Sequence, residues 1–122
     1  MNRILVIDDS STIRTAIRRI LEPMGFNVDE AQDGAVALER LRHEPPPDAV
    51  LCDIDMPVMD GLTFVSALRA DRGAVQPPVI MCTTHNTFDK IQDALARGAN
   101  EYIMKPFDAD IIGEKLAACG VR

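Results

Sequence analysis

Short apolar runs alternate along the chain with longer segments in which apolar residues recur at helical spacing. Five runs have the length of a β-strand: residues 4–7, 28–31, 49–52, 79–82 and 102–104. Three of them, 4–7, 49–52 and 79–82, are almost entirely apolar, as expected of parallel strands covered on both faces. The runs at 28–31 and 102–104 are weaker, so we predict that they form the edges of the sheet.

Each segment between the runs begins with a residue suited to capping a helix. The predicted N-caps are Ser10 or Ser11, Asp33, Asp60, Asn86 or Thr87, and Asp108. Apolar residues at helical spacing follow each cap, and in the last helix we expect Ile111, Ile112 and Leu116 to face the core. Gly25 and Gly98 are predicted to end the first and fourth helices.

The predicted order is therefore strand then helix, five times over, in one domain that spans residues 1–122. Such alternation implies a doubly wound α/β fold, in which a parallel sheet carries helices on both faces. In sheets of this kind, ligands bind at the carboxyl ends of the strands. The residues that directly follow the strands are therefore the first candidates for a functional site.

Charged and polar residues follow four of the five predicted strands. They are Asp8 and Asp9, Asp53, Thr83, and Lys105. Carboxylates that share a pocket repel one another unless a cation joins them, and Mg²⁺ is a hard cation that binds such oxygens and keeps waters for phosphate. Lys105 adds a point charge and Thr83 a hydroxyl donor. The set fits phosphoryl oxygens, and one carboxylate is a candidate nucleophile that forms an aspartyl phosphate.

Composition narrows the class of protein. The chain has 122 residues, with 47% hydrophobic and 26% charged residues, the balance of a globular domain. Its formal net charge of -6 disfavours nucleic acid as a partner, and no apolar run approaches the length of a membrane span. No cleavable signal pattern opens the chain, so we do not expect secretion. Cys52, Cys82 and Cys119 show no metal or disulfide spacing, which predicts free thiols in a reducing compartment.

The sequence resembles the receiver domains of two-component response regulators, and in particular the stand-alone chemotaxis (CheY-like) type. Four parts in the same order carry the resemblance: the pair Asp8-Asp9, the stretch DIDMPVMDG at residues 53–61, Thr83, and Lys105-Pro106. The resemblance covers essentially the whole chain. It implies a flavodoxin-like fold with a five-stranded parallel sheet in the order 2-1-3-4-5.

The resemblance also implies a role for each acidic residue. Asp53 matches the phosphoacceptor. Asp9 and Asp53 match the side chains that bind Mg²⁺, and the backbone carbonyl of Asp55 matches a third ligand. Asp8 is implied to act on the metal mainly through a bound water.

The remaining site residues receive their roles in the same way. Lys105 is implied to contact the phosphoryl group, and Thr83 to move towards that group. The peptide bond between Lys105 and Pro106 is expected to be cis. Tyr102 matches an aromatic switch position and is expected to turn inward to fill the space that Thr83 leaves. His85 and Asp55 match positions that tune how long the acyl phosphate lasts.

The function that follows is a phosphorylation-activated signalling switch of a two-component or chemotaxis pathway. A histidine kinase or phosphotransfer protein is the expected donor, and the expected target is a flagellar motor switch or a kinase. The expected output surface is helix four, strand five and helix five, with Lys90, Asp93, Arg97 and Tyr102. We expect no catalysis beyond the domain's own phosphotransfer and dephosphorylation, a cytoplasmic location, and a monomer, with dimerisation on phosphorylation left open. Neither nucleic acid nor membrane is an expected partner.

Arginines on the outer side of helix one allow two interpretations. Arg14, Arg18 and Arg19 form either a solvated face or a docking surface for the donor.

Two other functional classes stay open. The pair Asp53 and Asp55 is similar to the DxD of haloacid-dehalogenase-type phosphatases, although that family carries it after the first strand and usually has a longer chain. An interaction module that is never phosphorylated is the second alternative. Binding of FMN is disfavoured, because no Ser/Thr/Gly-rich loop follows the first strand.

Overall fold

The computed structural model describes residues 2–71, 73–74, 76–84 and 88–121. In this part of the chain, five strands and five α-helices alternate. They are β1 Arg3–Ile7, α1 Ser11–Leu21, β2 Asn27–Ala31, α2 Gly34–His43, β3 Ala49–Asp53, α3 Gly61–Ala70, β4 Val79–Thr83, α4 Phe88–Arg97, β5 Glu101–Met104 and α5 Ala109–Ala118. A short 3-10 turn, Glu22–Met24, follows α1. No helix in the described ranges is both long and apolar enough to cross a bilayer.

The strands form one parallel sheet in the order β2-β1-β3-β4-β5. This order confirms the predicted topology, with the two weaker apolar runs at the edges. The winding direction reverses between β1 and β3, the position at which sheets of this kind bind ligands. Because Ile7 pairs with Cys52, the carboxyl ends of β1 and β3 lie side by side at this point.

Local hydrogen bonds explain where the helices begin. The side-chain oxygens of Ser10, Asp33, Asp60 and Asp108 accept hydrogen bonds from backbone N–H groups three residues on, as predicted. The two residues predicted to cap α4, Asn86 and Thr87, lie outside the described residues.

Each face of the sheet packs against its own set of helices. Leu5, Val50 and Phe64 belong to the core on one face, and Leu51 and Leu116 to the core on the other. The central strands are therefore buried on both faces, which accounts for their nearly continuous apolar sequences.

One core prediction is wrong. Ile111 was expected to face inward with Ile112 and Leu116, but 42% of its surface is exposed. Ile112 and Leu116 lie four residues apart on one face of α5 and are fully buried. Ile111 lies about 100° around the helix from Ile112, so it points to solvent.

The three cysteines are free thiols, as predicted, and two are fully buried. Burial raises the pKa of Cys82 to about 12 and that of Cys52 well above its usual value. Cys119 is half-buried, and burial also raises its pKa. The buried thiols therefore stay protonated and pack as small apolar groups.

Candidate functional site

Three carboxylates from two strands meet at the carboxyl edge of the sheet. Asp8 and Asp9 follow β1, and Asp53 ends β3. One oxygen of each lies within 4.8 Å of one oxygen of each of the others. Asp8 is buried, Asp53 is half-buried and Asp9 is exposed, so the cluster runs from the protein interior to solvent.

A lysine from the far side of the sheet joins two of these carboxylates. Lys105 Nζ lies 2.8 Å from Asp8 Oδ2 and 3.3 Å from Asp53 Oδ1. The backbone of this lysine is fixed as well, because its N–H donates to the carbonyl of Thr83 at 2.9 Å. The peptide bond between Lys105 and Pro106 is cis, as expected. One ammonium group is thus held between two acids that come from different strands.

The electrostatics of the site combine burial with charge. Burial raises the pKa of Asp53, Lys105 opposes this increase, and the charge of Asp8 adds to it, so that the pKa is raised overall. Burial by itself lowers the pKa of Lys105, but its hydrogen bond to Asp8 and the charge of Asp53 outweigh burial and raise the pKa. Lys105 therefore remains an ammonium ion, whereas the negative charge of Asp53, the candidate acceptor, is only partly compensated.

The acidic cluster has the donor set of a magnesium site. Carboxylate oxygens are the ligands that Mg²⁺ prefers, and one or two of them usually suffice. Asp8 is already engaged at both oxygens, since Oδ1 accepts from Ser10 N–H at 2.9 Å and Oδ2 accepts from Lys105. The carboxylates of Asp9 and Asp53 are the members better placed to bind an ion directly.

The segment after β3 folds tightly back towards α3. Ile54 is buried, and its carbonyl accepts a 2.8 Å hydrogen bond from the N–H of Gly61. A Cβ atom on Gly61 would lie 2.2 Å from the carbonyl oxygen of Asp53, so only glycine fits there. Within this turn Val58 has a φ of 69°, a left-handed conformation that is strained for a β-branched residue. These features explain why the DIDMPVMDG stretch holds Asp53 at the site.

The predicted switch residues lie on neighbouring strands. Thr83 ends β4 and is buried, whereas Tyr102 lies in β5 and is half-buried. The Lys115 ammonium lies 5.1 Å from the centre of the Tyr102 ring and 3.0 Å from Glu101 Oε1. His85, predicted to tune the acyl phosphate, lies outside the described residues.

A second lysine reaches this region without having been predicted to do so. Lys90 Nζ, on α4, lies 3.7 Å from Asp55 Oδ1. The two residues come from separate elements, and no motif spacing in the sequence indicates that they meet.

Two of the three arginines on α1 form ion pairs within the chain. Arg14 Nε lies 2.8 Å from Glu30 Oε1, and Arg18 Nη2 lies 2.6 Å from Glu30 Oε2. The hydrogen bond from Arg18 lowers the pKa of Glu30, and Arg14 adds to this effect. Arg14 also donates to the carbonyl of Asp8, so it supports the backbone of the acidic cluster. Arg19 is exposed.

A groove of about 300 Å³ lies beside the acidic site. Its walls come from α1 and from the segment after β5, and they include Ile13, Ile20, Pro106 and Phe107. Lys105 also lines this groove, which connects it to the acidic cluster.

Comparisons with known proteins agree with this geometry. The family model described as response regulator receiver domain matches residues 4–117. The chain is 40% identical to the chemotaxis protein CheY of Pseudomonas aeruginosa over 115 residues, which cover 93% of this chain and 92% of that protein. It is 39% identical to CheY1 of Helicobacter pylori, with 93% of each chain covered. Among solved structures, Vibrio cholerae CheY4 matches with a TM-score of 0.88 and 33% identity over 98% of both chains.

Proposed function

Because this chain belongs to the response regulator receiver domain family, we propose that it accepts a phosphoryl group on Asp53 from a histidine kinase or phosphotransfer protein. It then signals by binding another protein. Receiver domains of this type are signalling switches rather than classical enzymes. The observation that carries the proposal is the position of Asp53, 3.3 Å from the Lys105 ammonium and next to two further carboxylates.

Accessibility distinguishes Asp53 from Asp8. Asp8 is 2% exposed and engaged at both oxygens, so it is poorly placed to attack a donor. Asp53 is half-buried, within reach of solvent and held beside a positive charge. An Asp53 oxygen forms a bond to phosphorus while the bond from phosphorus to the donor histidine nitrogen breaks, and the electron pair stays on that nitrogen. Water later attacks the acyl phosphate and releases inorganic phosphate.

Magnesium has a defined place in this proposal. Asp9, Asp53 and the backbone carbonyl of Asp55 would hold it, and Asp8 would contact it through a water because both of its own oxygens are engaged. When bound, the ion would supply positive charge for the phosphoryl oxygens. Lys105 supplies a second positive charge to the same group, which places charge where transfer needs it.

We propose that the conformational change begins at Thr83 and extends to the output surface. A phosphoryl group on Asp53 favours only the state in which Thr83 and Lys105 reach it, and Tyr102 turns inward in that state. To shift the protein from a mostly inactive to a mostly active population, the phosphoryl group must stabilise the active state by about 5 kcal/mol more than the inactive state. Two or three charge-assisted hydrogen bonds of about 1.5–3 kcal/mol each are sufficient.

Exposed apolar side chains support a protein-binding output surface on α4, β5 and α5. Phe88 and Leu95 on α4 are 70% and 41% exposed, and Ile111 on α5 is 42% exposed. Large apolar groups of this kind are favourable contacts for a partner protein. Lys90, Asp93 and Arg97 would surround them as a charged rim.

The donor is proposed to dock beside α1. The groove of about 300 Å³ is lined by apolar side chains of α1 and by Lys105, so a protein seated there reaches the acceptor directly.

The location and the domain organisation are proposals of the same kind. Free thiols fit a reducing compartment, so we place the protein in the cytoplasm. We propose that residues 1–122 form one receiver domain.

Intact-mass measurement tests the acceptor. The wild-type protein and the variants Asp53→Ala and Asp110→Asn are incubated with acetyl phosphate and Mg²⁺. We expect the wild type and Asp110→Asn to gain the mass of one phosphoryl group, and Asp53→Ala to gain none. Equal labelling of Asp53→Ala, or no labelling of the wild type with magnesium present, would contradict the proposal.

A further inference from the structure

An ion pair links the acceptor segment to the first turn of α4. Lys90 Nζ lies 3.7 Å from Asp55 Oδ1, and both side chains are partly exposed. Asp55 lies in the segment that joins β3 to α3, two residues beyond Asp53. The pair therefore connects the surroundings of the acceptor to the helix that begins the proposed output surface.

Hydrogen bonds outside this ion pair hold each of the two segments that carry it. The carbonyl of Ile54 accepts from Gly61 N–H at 2.8 Å, which fixes the start of the segment. At the other end of α4, Arg97 donates to Ser66 Oγ at 3.0 Å, which ties this helix to α3. What Lys90 adds is control over the direction of the Asp55 carboxylate rather than over the path of the chain.

The position of Asp55 makes that direction important. Asp55 is exposed and lies only two residues beyond Asp53, and two residues of chain span at most about 7 Å. The Asp55 carboxylate is thus within reach of a phosphodonor that approaches Asp53. Because a phosphodonor is an anion, a further carboxylate swinging towards it would repel it.

We propose that Lys90 is a positioning residue for phosphotransfer, which draws the Asp55 carboxylate towards α4 and away from the incoming phosphodonor. This inference depends on the proposed function, in which Asp53 is the acceptor. Without Lys90, the negative charge of Asp55 would add to that of Asp8 and Asp9 at the mouth of the site. Phosphorylation would then slow, although the acceptor itself is intact.

The test measures the initial rate of phosphorylation by acetyl phosphate at saturating Mg²⁺, over a range of donor concentrations. Lys90→Gln is compared in the wild-type and Asp55→Asn backgrounds. We expect it to lower the second-order rate constant about two- to fivefold in the wild-type background, the range of a partly exposed ion pair. In the Asp55→Asn background the same change should have little effect, because no carboxylate remains to be positioned.

Two further variants separate positioning from loss of charge alone. Lys90→Arg should restore most of the rate, because it preserves the positive charge. Arg40→Gln removes one positive charge from α2 and breaks the 2.9 Å ion pair of Arg40 with Glu44, and it should leave the rate unchanged. High salt should reduce the Lys90→Gln effect.

Each remaining outcome is decisive. An equal effect of Lys90→Gln in both backgrounds would mean that Lys90 acts on the donor through its own charge, and this would overturn the inference. Unchanged rates in the wild-type background would overturn it as well. Labelling that persists in Asp53→Ala would instead refute the proposed function, so the two failures are distinguishable.

Discussion

The ammonium group of Lys105 donates a 2.8 Å hydrogen bond to the carboxylate of Asp8, a residue 97 positions away along the chain. Asp8 is buried, and the same ammonium group lies 3.3 Å from Asp53. The bond joins the segment after β5 to the end of β1 at the carboxyl edge of the sheet. Stability and the proposed phosphoryl chemistry therefore depend on the same side chain.

Lys105→Met should destabilise the metal-free protein. The substitution leaves Asp8 buried beside two other carboxylates with no lysine to compensate its charge, and breaking a buried pair of this kind costs about 3 kcal/mol. The free energy of unfolding measured with urea in a chelator reports the loss. Lys115→Met breaks a more exposed pair with Glu101 and should cost less than about 1 kcal/mol. Equal losses in the two variants would contradict this account.

The stability of the metal-free protein should depend on pH through Asp53. The pKa of its carboxyl is raised in the folded state, so its contribution to stability is complete below its ordinary value of 3.8 and is lost as pH rises through the raised value. Asp53→Asn removes this loss. The variant should therefore be more stable than the wild type near neutral pH, and the difference should shrink as pH falls towards 3.8. Urea unfolding in a chelator at several pH values checks the trend.

Asp110→Asn is the control for that experiment. It changes an acidic residue in the first turn of α5, away from the cluster, and should not reproduce the effect. A difference between Asp53→Asn and the wild type that stays constant with pH, or grows on acidification, would refute the assignment.

Magnesium should stabilise the protein through the acidic cluster. An ion that binds only the folded state raises the free energy of unfolding, and with it the midpoint of thermal unfolding, with the logarithm of its concentration relative to the dissociation constant. We expect a clear increase for the wild type and a much smaller one for Asp9→Asn, which loses an exposed candidate ligand. Scanning calorimetry with and without Mg²⁺ measures both shifts. An undiminished shift in Asp9→Asn would remove Asp9 from the set of metal ligands.

Val58→Gly should stabilise the protein. Val58 is 86% exposed, so little packing is lost, and its φ of 69° is strained for a β-branched residue but not for glycine. Relief of the strain of a left-handed residue raises the free energy of unfolding by about 1–2 kcal/mol. Glycine also increases the conformational entropy of the unfolded chain, which opposes this gain, so a net gain of about 1 kcal/mol is expected. Urea unfolding measures the change. Val36→Gly makes the same substitution within α2 and should lower stability by a comparable amount.

Features that depend on neighbouring residues were predictable from the sequence. Side-chain caps such as Asp33 and Asp60 bond to N–H groups three residues on, and such bonds need no other part of the fold. The nearly continuous apolar runs identified the central strands for a similar reason, since burial on both faces removes the usual alternation. The inward position predicted for Ile111 was wrong because Ile112 and Leu116 form the buried face of α5, and Ile111 lies about 100° around the helix from Ile112.

Ion pairs between distant elements could not be predicted in the same way. The contacts of Glu30 with Arg14 and Arg18, and of Lys90 with Asp55, join side chains that no motif relates. The left-handed conformation of Val58 is also invisible in the sequence, because valine ordinarily avoids it. Whether two long charged side chains come close enough to form an ion pair depends on how each helix packs against the sheet.

The sequence alone determined that Asp8, Asp9 and Asp53 would lie at one edge of a parallel sheet, because residues that follow parallel strands share that edge. Only the tertiary structure decided which cation meets which carboxylate: Lys105 between Asp8 and Asp53, and Lys90 beside Asp55. Ion pairs and hydrogen bonds act over a few ångströms, and distances of that size depend on the packing of the helices and loops rather than on the order of the strands.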